Sequence, residues 1–179
     1  MTTVVETYNS NLGCTVLCDF SPPRSGDPSL IDRLADMPAD FISVAYNPGR
    51  LPRADSITVA HTIQQRLGKK AIPNLAPRDM NKIALQSQLL GGTMLGMTNV
   101  VIVGGDDLTE REQQYAVKQV RDFTSTGLIA ATADMNRGMD YRGANLQAPT
   151  RLCIGGAIDL GKPFESEARL AVSKVEAGA

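Results

Sequence analysis

The sequence predicts an α/β fold made of parallel βα units. Short runs rich in β-branched and apolar residues alternate along the chain with longer stretches of helical spacing, which is typical of βα repeats. The run at residues 99–103 is almost entirely β-branched, as expected of a strand buried on both faces. The chain has 179 residues, 42% hydrophobic and 21% charged, which suits one domain with a sizeable core.

Each element has its own local signal. The predicted strands share a short apolar composition and cover residues 14–20, 40–46, 71–75, 99–103 and 151–158. The predicted helices share helical spacing or capping residues and cover residues 28–37, 55–67, 80–95, 109–122, 125–136 and 163–176. Asp55 is placed to cap the second helix and Gly68 to close it. Pro163 stands near the start of the last helix, with acidic residues in the first turn. Residues 138–149 predict a small β-hairpin or an ordered loop.

Charge, hydropathy and cysteine content exclude several classes of protein. The net charge of −1 offers no basic field for nucleic acid or an anionic membrane. No apolar run approaches the roughly 18 residues that a membrane span needs, and the first residues lack the features of a signal peptide, so we expect a cytoplasmic protein. Three scattered cysteines and one histidine do not make a zinc site of about four ligands. Cys14 and Cys18 alternate with apolar residues and are expected to be buried in the first strand.

Every predicted strand ends in polar residues or glycine. The set comprises Asp19, Tyr46, Asn74, the Gly104-Gly105-Asp106 run and Asp159. Since the carboxyl ends of parallel strands lie on one face, where barrels and open sheets bind ligands, these residues are candidates for one site. Taken singly, the Asp and Asn residues also have an ordinary interpretation, because their side chains stabilise turns.

Two aspartates depart from that turn interpretation. Asp19 lies inside a strand pattern that disfavours it, so its carboxylate must be hydrogen-bonded or face a polar cavity. Asp106 follows two glycines that let the backbone approach a ligand closely. The Val-Gly-Gly-Asp run lacks the spacing and the lysine of a phosphate-binding loop.

An ordered series of motifs resembles the methylenetetrahydrofolate reductase family. The motifs are Cys18-Asp-Phe-Ser-Pro-Pro-Arg24, Phe41-Ile-Ser-Val-Ala-Tyr46, Pro73-Asn-Leu-Ala-Pro-Arg-Asp79, Asn99-Val-Val-Ile-Val-Gly-Gly-Asp106, Met135-Asn-Arg-Gly-Met-Asp140, Cys153-Ile-Gly-Gly-Ala157 and Lys174-Val-Glu-Ala-Gly-Ala179. The resemblance implies a (β/α)8 barrel, which has roughly 250 residues. We therefore expect residues 1–179 to form a single partial barrel domain of the TIM type, truncated after about its fifth helix.

The resemblance also implies an activity. The family is an oxidoreductase of one-carbon metabolism and methionine biosynthesis, which reduces 5,10-methylenetetrahydrofolate to 5-methyltetrahydrofolate with hydride from reduced FAD, recharged by NAD(P)H. Asp19 matches the family's acidic residue on the first strand, which is credited with the general acid role. Asp106 matches the aspartate on the fourth strand, which would stabilise positive charge developing on the folate.

The cofactor-binding positions implied by the family are Tyr46, Asn74, Gly104, Gly105 and Asp159, and several differ from the family's pattern. Ala45 stands where the family has threonine, Asn74 where it has histidine and Gly104 where it has arginine, while residues 158–160 replace a Tyr-Pro-Glu run. Flavin could therefore bind differently, hydride could come directly from a nicotinamide, or the protein could bind folate without reducing it.

Three functional hypotheses remain open at the level of sequence. The first is a folate one-carbon oxidoreductase. The second is a non-catalytic or partner-dependent partial barrel, since open strand edges invite pairing with a second copy or another chain. The third is a pterin-dependent methyltransferase on a similar barrel, which needs no hydride donor.

Overall fold

Five parallel strands alternate with helices in the computed structural model, which describes residues 2–10 and 14–179. The strands are β1 (Leu17–Phe20), β2 (Phe41–Val44), β3 (Ala71–Leu75), β4 (Asn99–Ile102) and β5 (Cys153–Gly156). The α-helices are α1 (Val4–Ser10), α2 (Ser56–Leu67), α3 (Lys82–Met94), α4 (Glu110–Gln113), α5 (Ser125–Asn136) and α6 (Phe164–Glu176). Two 3-10 helices cover Pro28–Leu34 and Pro48–Arg50.

The strands follow one another in space in the order of the chain. The sheet order is β1-β2-β3-β4-β5, and all four pairings are parallel. This uninterrupted order is that of a (β/α)8 barrel, whereas a doubly wound sheet reverses its order at a switch point. The predicted class of parallel βα units is confirmed, and β1 and β5 are the edges of the sheet.

Helix boundaries are set by the capping residues that the sequence contains. The Asp55 carboxylate accepts a hydrogen bond from the Thr58 amide at 2.9 Å, and Gly68 ends α2 in the left-handed conformation at φ 64°. Asn81 caps α3 in the same way through the amide of Ala84. The two caps fix where α2 and α3 begin, and therefore how they lie against the sheet.

The hydrophobic core lies between the sheet and the helices that pack against one of its faces. Fully buried side chains on β2, β3 and β4 include Ile42, Val44, Leu75 and Ile102. They meet buried side chains of the surrounding helices, namely Ile63, Leu85, Leu89, Leu128 and Ile129. No helix in the described part of the chain is long and apolar enough to span a bilayer.

Helix α1 packs at the amino-terminal ends of the strands. The Asn99 side chain accepts a hydrogen bond from the Val4 amide at 2.8 Å, and Lys70 donates one to the buried Thr7 hydroxyl at 3.2 Å. The sequence interpretation missed this helix because seven residues are too few to show a clear apolar period. Because α1 occupies this end, ligands have access to the sheet at the carboxyl ends of the strands.

Two predicted elements were wrong in length or type. The predicted helix 109–122 is helical only in the single turn of α4, after which Ala116 and Arg121 take positive φ angles. No residue of α4 is buried, so no packing stabilises a longer helix. The segment predicted as a helix at 28–37 is a 3-10 helix that ends at Leu34. Residues 138–149 form the predicted ordered loop, with one antiparallel bridge between Met139 and Asn145.

The expectation of buried cysteines at the first strand was also wrong. Strand β1 begins at Leu17, so Cys14 precedes it and is exposed, while Cys18 is half-buried. Because Cys14 lies outside the hydrogen-bonded strand, its alternation with apolar neighbours does not place it on a face of the sheet.

The burial of side chains on α3 predicts that truncating two of them to alanine lowers the free energy of unfolding by unequal amounts. Leu85 is 0% exposed and Ile83 is 61% exposed on the same helix. We expect Leu85→Ala to lower the free energy of unfolding by about 2–5 kcal/mol because it leaves a cavity. Ile83→Ala should change it by less than about 0.5 kcal/mol, and urea unfolding of both variants measures the difference. Equal losses would contradict the packing described for α3.

Candidate functional site

Three polar side chains lie on the side of the sheet opposite the buried Ile42 and Val44, near the carboxyl ends of β1, β2 and β3. Asp19 is in register with Ser43, and Ser43 with Ile72, so the three residues share a face. Asn74 lies two residues beyond Ile72 and therefore points to the same face. Asp19 is exposed, and no described residue is hydrogen-bonded to its carboxylate. Its carboxylate is available to a ligand on this face.

Ser43 is a site residue that the sequence interpretation missed. Its hydroxyl is buried and lies 3.4 Å from both the Oδ1 and the Nδ2 atoms of Asn74. The Asn74 carbonyl in turn accepts a hydrogen bond from the Ser56 hydroxyl at 2.7 Å. The signal in the sequence that could have identified Ser43 is that it is the one polar residue of the strand Phe41–Val44. The Asn74 side-chain amide is thus contacted by Ser43, while the bond from Ser56 holds the backbone carbonyl of the same residue.

A buried charge pair lies at the ends of β2 and β3. The Arg78 guanidinium donates to both carboxylate oxygens of Asp79, from Nε at 2.7 Å and from Nη2 at 2.8 Å. Tyr46, two residues past β2, also hydrogen-bonds to Asp79. This contact occupies the Tyr46 hydroxyl, which the sequence had placed among the cofactor-binding groups.

The three groups shift one another's proton affinities. Burial, together with the adjacent Asp79 carboxylate, raises the pKa of the Tyr46 hydroxyl. Burial alone would raise the pKa of Asp79, but the hydrogen bonds and charge of Arg78 outweigh it and hold that pKa below its ordinary value. Asp79 is therefore a structural carboxylate, ionised at neutral pH, and is not a proton donor.

The Gly104-Gly105-Asp106 run follows β4 as an open turn. Asp106 is exposed, and its backbone carbonyl accepts a hydrogen bond from Arg78 Nη1 at 3.3 Å. A side chain at Gly104 would meet nothing within 4 Å, so a planar ligand has room to approach the backbone there. The Asp106 carboxylate is thus presented to solvent beside an accessible stretch of backbone.

Beside this turn lies a cavity of about 280 Å³. Its charged lining is already paired, since Arg50 lies 3.2 Å from Glu112 and Arg78 binds Asp79. The cavity is smaller than most small-molecule sites, and its arginines have their charges matched by carboxylates. It adjoins the candidate site without adding a free cation to it.

Asp159 lies apart from the other predicted residues, in the exposed segment after β5. Its amide donates to Glu167 at 2.8 Å, and its carboxylate accepts from the Gly161 amide at 2.9 Å. These contacts are those of an ordinary turn. Lys174, buried on α6, donates to the Ala157 carbonyl and holds the start of the same segment. Among the described residues, no group of histidine, cysteine and acidic side chains could hold a metal ion.

Comparison with known proteins matches the part of the chain that carries most of these residues. A family model described as methylenetetrahydrofolate reductase matches residues 7–133, which include Asp19, Asn74 and Asp106 but not Asp159. A 5,10-methylenetetrahydrofolate reductase of Pectobacterium carotovorum subsp. carotovorum is 28% identical over 118 residues. That alignment covers 59% of this chain and 40% of the relative, so the chain matches less than half of the relative's length.

The Arg78–Asp79 pair predicts a pH-dependent contribution to stability. Because the folded pKa of Asp79 is depressed, the contribution is present above the unfolded pKa of about 3.9 and is lost as the pH falls through the lower folded pKa. Asp79→Asn should lower the free energy of unfolding by about 2–4 kcal/mol at pH 7, since it leaves a buried guanidinium without its partner.

Urea unfolding across the acid range measures this contribution, and the loss caused by Asp79→Asn should shrink toward pH 2. Asp32→Asn is the matched control, because Asp32 makes the same bidentate contact with Arg66 at the surface. The control should cost clearly less, because solvent screens the exposed pair of Asp32 and Arg66. Equal costs for the two variants would show that burial of the Arg78 pair has no special effect.

Proposed function

The chain belongs to the methylenetetrahydrofolate reductase family, and on this premise we propose that its strand-end face binds a reduced folate and reduces 5,10-methylenetetrahydrofolate to 5-methyltetrahydrofolate. The observation that carries the proposal is the pair of exposed carboxylates, Asp19 and Asp106, at strand ends of one parallel sheet. Both lie within the residues that match the family.

The proposed reaction needs a proton donor and a group that stabilises positive charge. Opening the folate ring to an electrophilic iminium requires an acid, and Asp19 is placed to supply it at the end of β1. A ligand that covers a carboxyl group removes its water, and desolvation favours the protonated form that can donate. Asp106, as a carboxylate, would stabilise the iminium by its charge.

FAD is the proposed hydride carrier, and the residues of the face offer it a polar and sterically open surface. The Asn74 amide presents a donor and an acceptor held by Ser43, and Gly104 and Gly105 would let a flavin ring lie against the backbone. Reduced flavin, when bound, supplies hydride to the folate carbon. Tyr46 would contact it through its ring, since its hydroxyl binds Asp79. Roles for NAD(P)H as the reductant and for Asp159 as a flavin contact stay predictions, as does the cytoplasmic location.

Oxidation of 5-methyltetrahydrofolate with an artificial electron acceptor tests the proposed activity in the purified chain. We expect Asp19→Asn to slow the reaction by about 10²–10⁴-fold, because in the oxidation direction the same carboxylate takes up the proton that it donates during reduction. Asp106→Asn should slow it by about 10²–10³-fold through loss of charge stabilisation. Asp36→Asn, at an exposed aspartate that precedes β2, is the control and should leave the rate unchanged.

Two further measurements complete this test. Calorimetric titration with 5-methyltetrahydrofolate should show binding by the wild-type chain, and the visible spectrum of the purified protein should show an oxidised flavin. A folded chain that neither binds the folate nor oxidises it would overturn the proposed activity. Binding without oxidation and without flavin absorbance would favour a folate-binding protein over a reductase.

The sheet edges support a second candidate, in which a second copy or another chain completes the barrel. Within residues 2–10 and 14–179, strands β1 and β5 have no strand paired on their outer sides. Apolar side chains near these edges are exposed, namely Val16 and Leu17 at β1 and Phe164, Val172 and Val175 on α6. Open edges and exposed apolar groups favour association. No observation favours the pterin-dependent methyltransferase, which stays a prediction.

Native mass spectrometry and sedimentation test the second candidate. We expect the chain to associate, and charged substitutions at the exposed apolar positions, such as Val175→Glu, should shift it toward monomer. Val5→Glu, at an exposed valine on α1 at the amino-terminal ends of the strands, is the control. A well-folded wild-type monomer that is active would rule out obligate pairing.

A further inference from the structure

We propose that Arg78 is a positioning residue, whose buried guanidinium fixes the turn formed by residues 104–107 and so aims the Asp106 carboxylate at the folate. The inference rests on the proposed function, and it adds to that function a residue outside the predicted site set. Arg78 does not touch the proposed substrate, and its effect passes through the backbone of the 104–107 turn.

The first step is the way Arg78 divides its hydrogen bonds. Its side chain is only 4% exposed, and two of its three nitrogens bind the Asp79 carboxylate. The third nitrogen, Nη1, donates to the Asp106 carbonyl at 3.3 Å. A planar guanidinium can serve both partners at once, whereas a lysine ammonium has no such fixed fork. Asp79 therefore orients the group that holds Asp106.

The second step is the close fit of the turn against Arg78. Gly105 has a φ of +74°, and a Cβ added to it would lie 3.1 Å from the Cβ atoms of both Ala76 and Arg78. The turn therefore packs directly on the segment after β3, at a spacing that only glycine permits. Val120, beyond the turn, donates its amide to the Arg78 carbonyl at 2.8 Å. Arg78 thus contacts both ends of the loop that follows β4.

The third step is a comparison with a second arginine on the same turn. Arg121 donates from Nη2 to the Gly105 carbonyl at 3.3 Å and to the Asp107 carboxylate at 2.7 Å. Its side chain is 38% exposed and that of Asp107 is 86% exposed, so water can replace these contacts. Water has little access to the contact of Arg78 with Asp106. Arg121 is therefore a matched control on the same turn.

A double-mutant cycle between Arg78 and Asp106 tests the inference. We expect Arg78→Met to lower kcat for 5-methyltetrahydrofolate oxidation by on the order of 10- to 100-fold, the effect of a small misplacement of a reacting group. Arg121→Met should change kcat by no more than about twofold. Adding Arg78→Met to Asp106→Asn should lower kcat by no more than about a further twofold. The Asp106→Asn variant has no carboxylate at this position, so the loss of Arg78 has nothing left to misplace.

Each outcome of this cycle supports or overturns the inference. Losses that multiply in the double variant would overturn the inference, because they would show that Arg78 acts independently of Asp106. An Arg78→Met variant as active as Arg121→Met would overturn it as well, because Arg78 would then have no effect on the reaction. If Arg78→Met does not fold, Arg78→Lys and Gly105→Ala take its place in the cycle, with the same expectation of non-additive losses. A folded but inactive wild-type chain would overturn the proposed function and the inference together. An active wild-type chain with multiplicative losses would overturn the inference alone.

Discussion

The parallel pairing of five consecutive strands is the constraint on which the candidate site depends. Because every strand runs in the same direction and the sheet order follows the chain order, all five carboxyl ends reach one face. Residues far apart in sequence, such as Asp19 on β1 and Asn74 on β3, are brought to that face by backbone hydrogen bonds alone. The helices that cover the other side of the sheet and α1 at the opposite end leave this face as the accessible one. The positions of Asp19 and Asn74 therefore do not depend on the loops, whereas Asp106 lies in the turn after β4.

The loops nevertheless contain a strongly buried charge at this face. Arg78 lies under the 104–107 turn with Asp79 as its counter-ion, and the pair is costly to bury unless both partners are hydrogen-bonded. A hydrophobic pair could have filled the same volume, so stability alone does not explain why a guanidinium is present. The third nitrogen of Arg78 donates a hydrogen bond to the carbonyl of Asp106, and a hydrophobic pair could not make this bond.

The sequence predicted the elements whose signals are local. The Asp55 cap, the Gly68 stop and the β-branched run of β4 were each read correctly, since capping and burial on both faces leave a pattern in neighbouring residues. The long helix after Thr109 was wrong, because no buried side chain of α4 sustains a longer helix. The Ser43–Asn74 and Arg78–Asp106 contacts join segments 31 and 28 residues apart, so no local pattern could reveal them.

Position 104 is where this chain departs from the charge pattern that the family resemblance implies at the turn after β4. The family resemblance implies an arginine immediately before the Gly-Asp pair, and this chain has Gly104 there. A guanidinium still lies at the turn, but it belongs to Arg78 in the segment after β3 and donates a hydrogen bond to the backbone carbonyl of Asp106. An arginine in the turn would face a ligand, whereas Arg78 is buried and faces the protein. The positive charge of Arg78 therefore supports the turn in this chain. If a flavin binds there, its contacts would be made by the backbone and by Asn74.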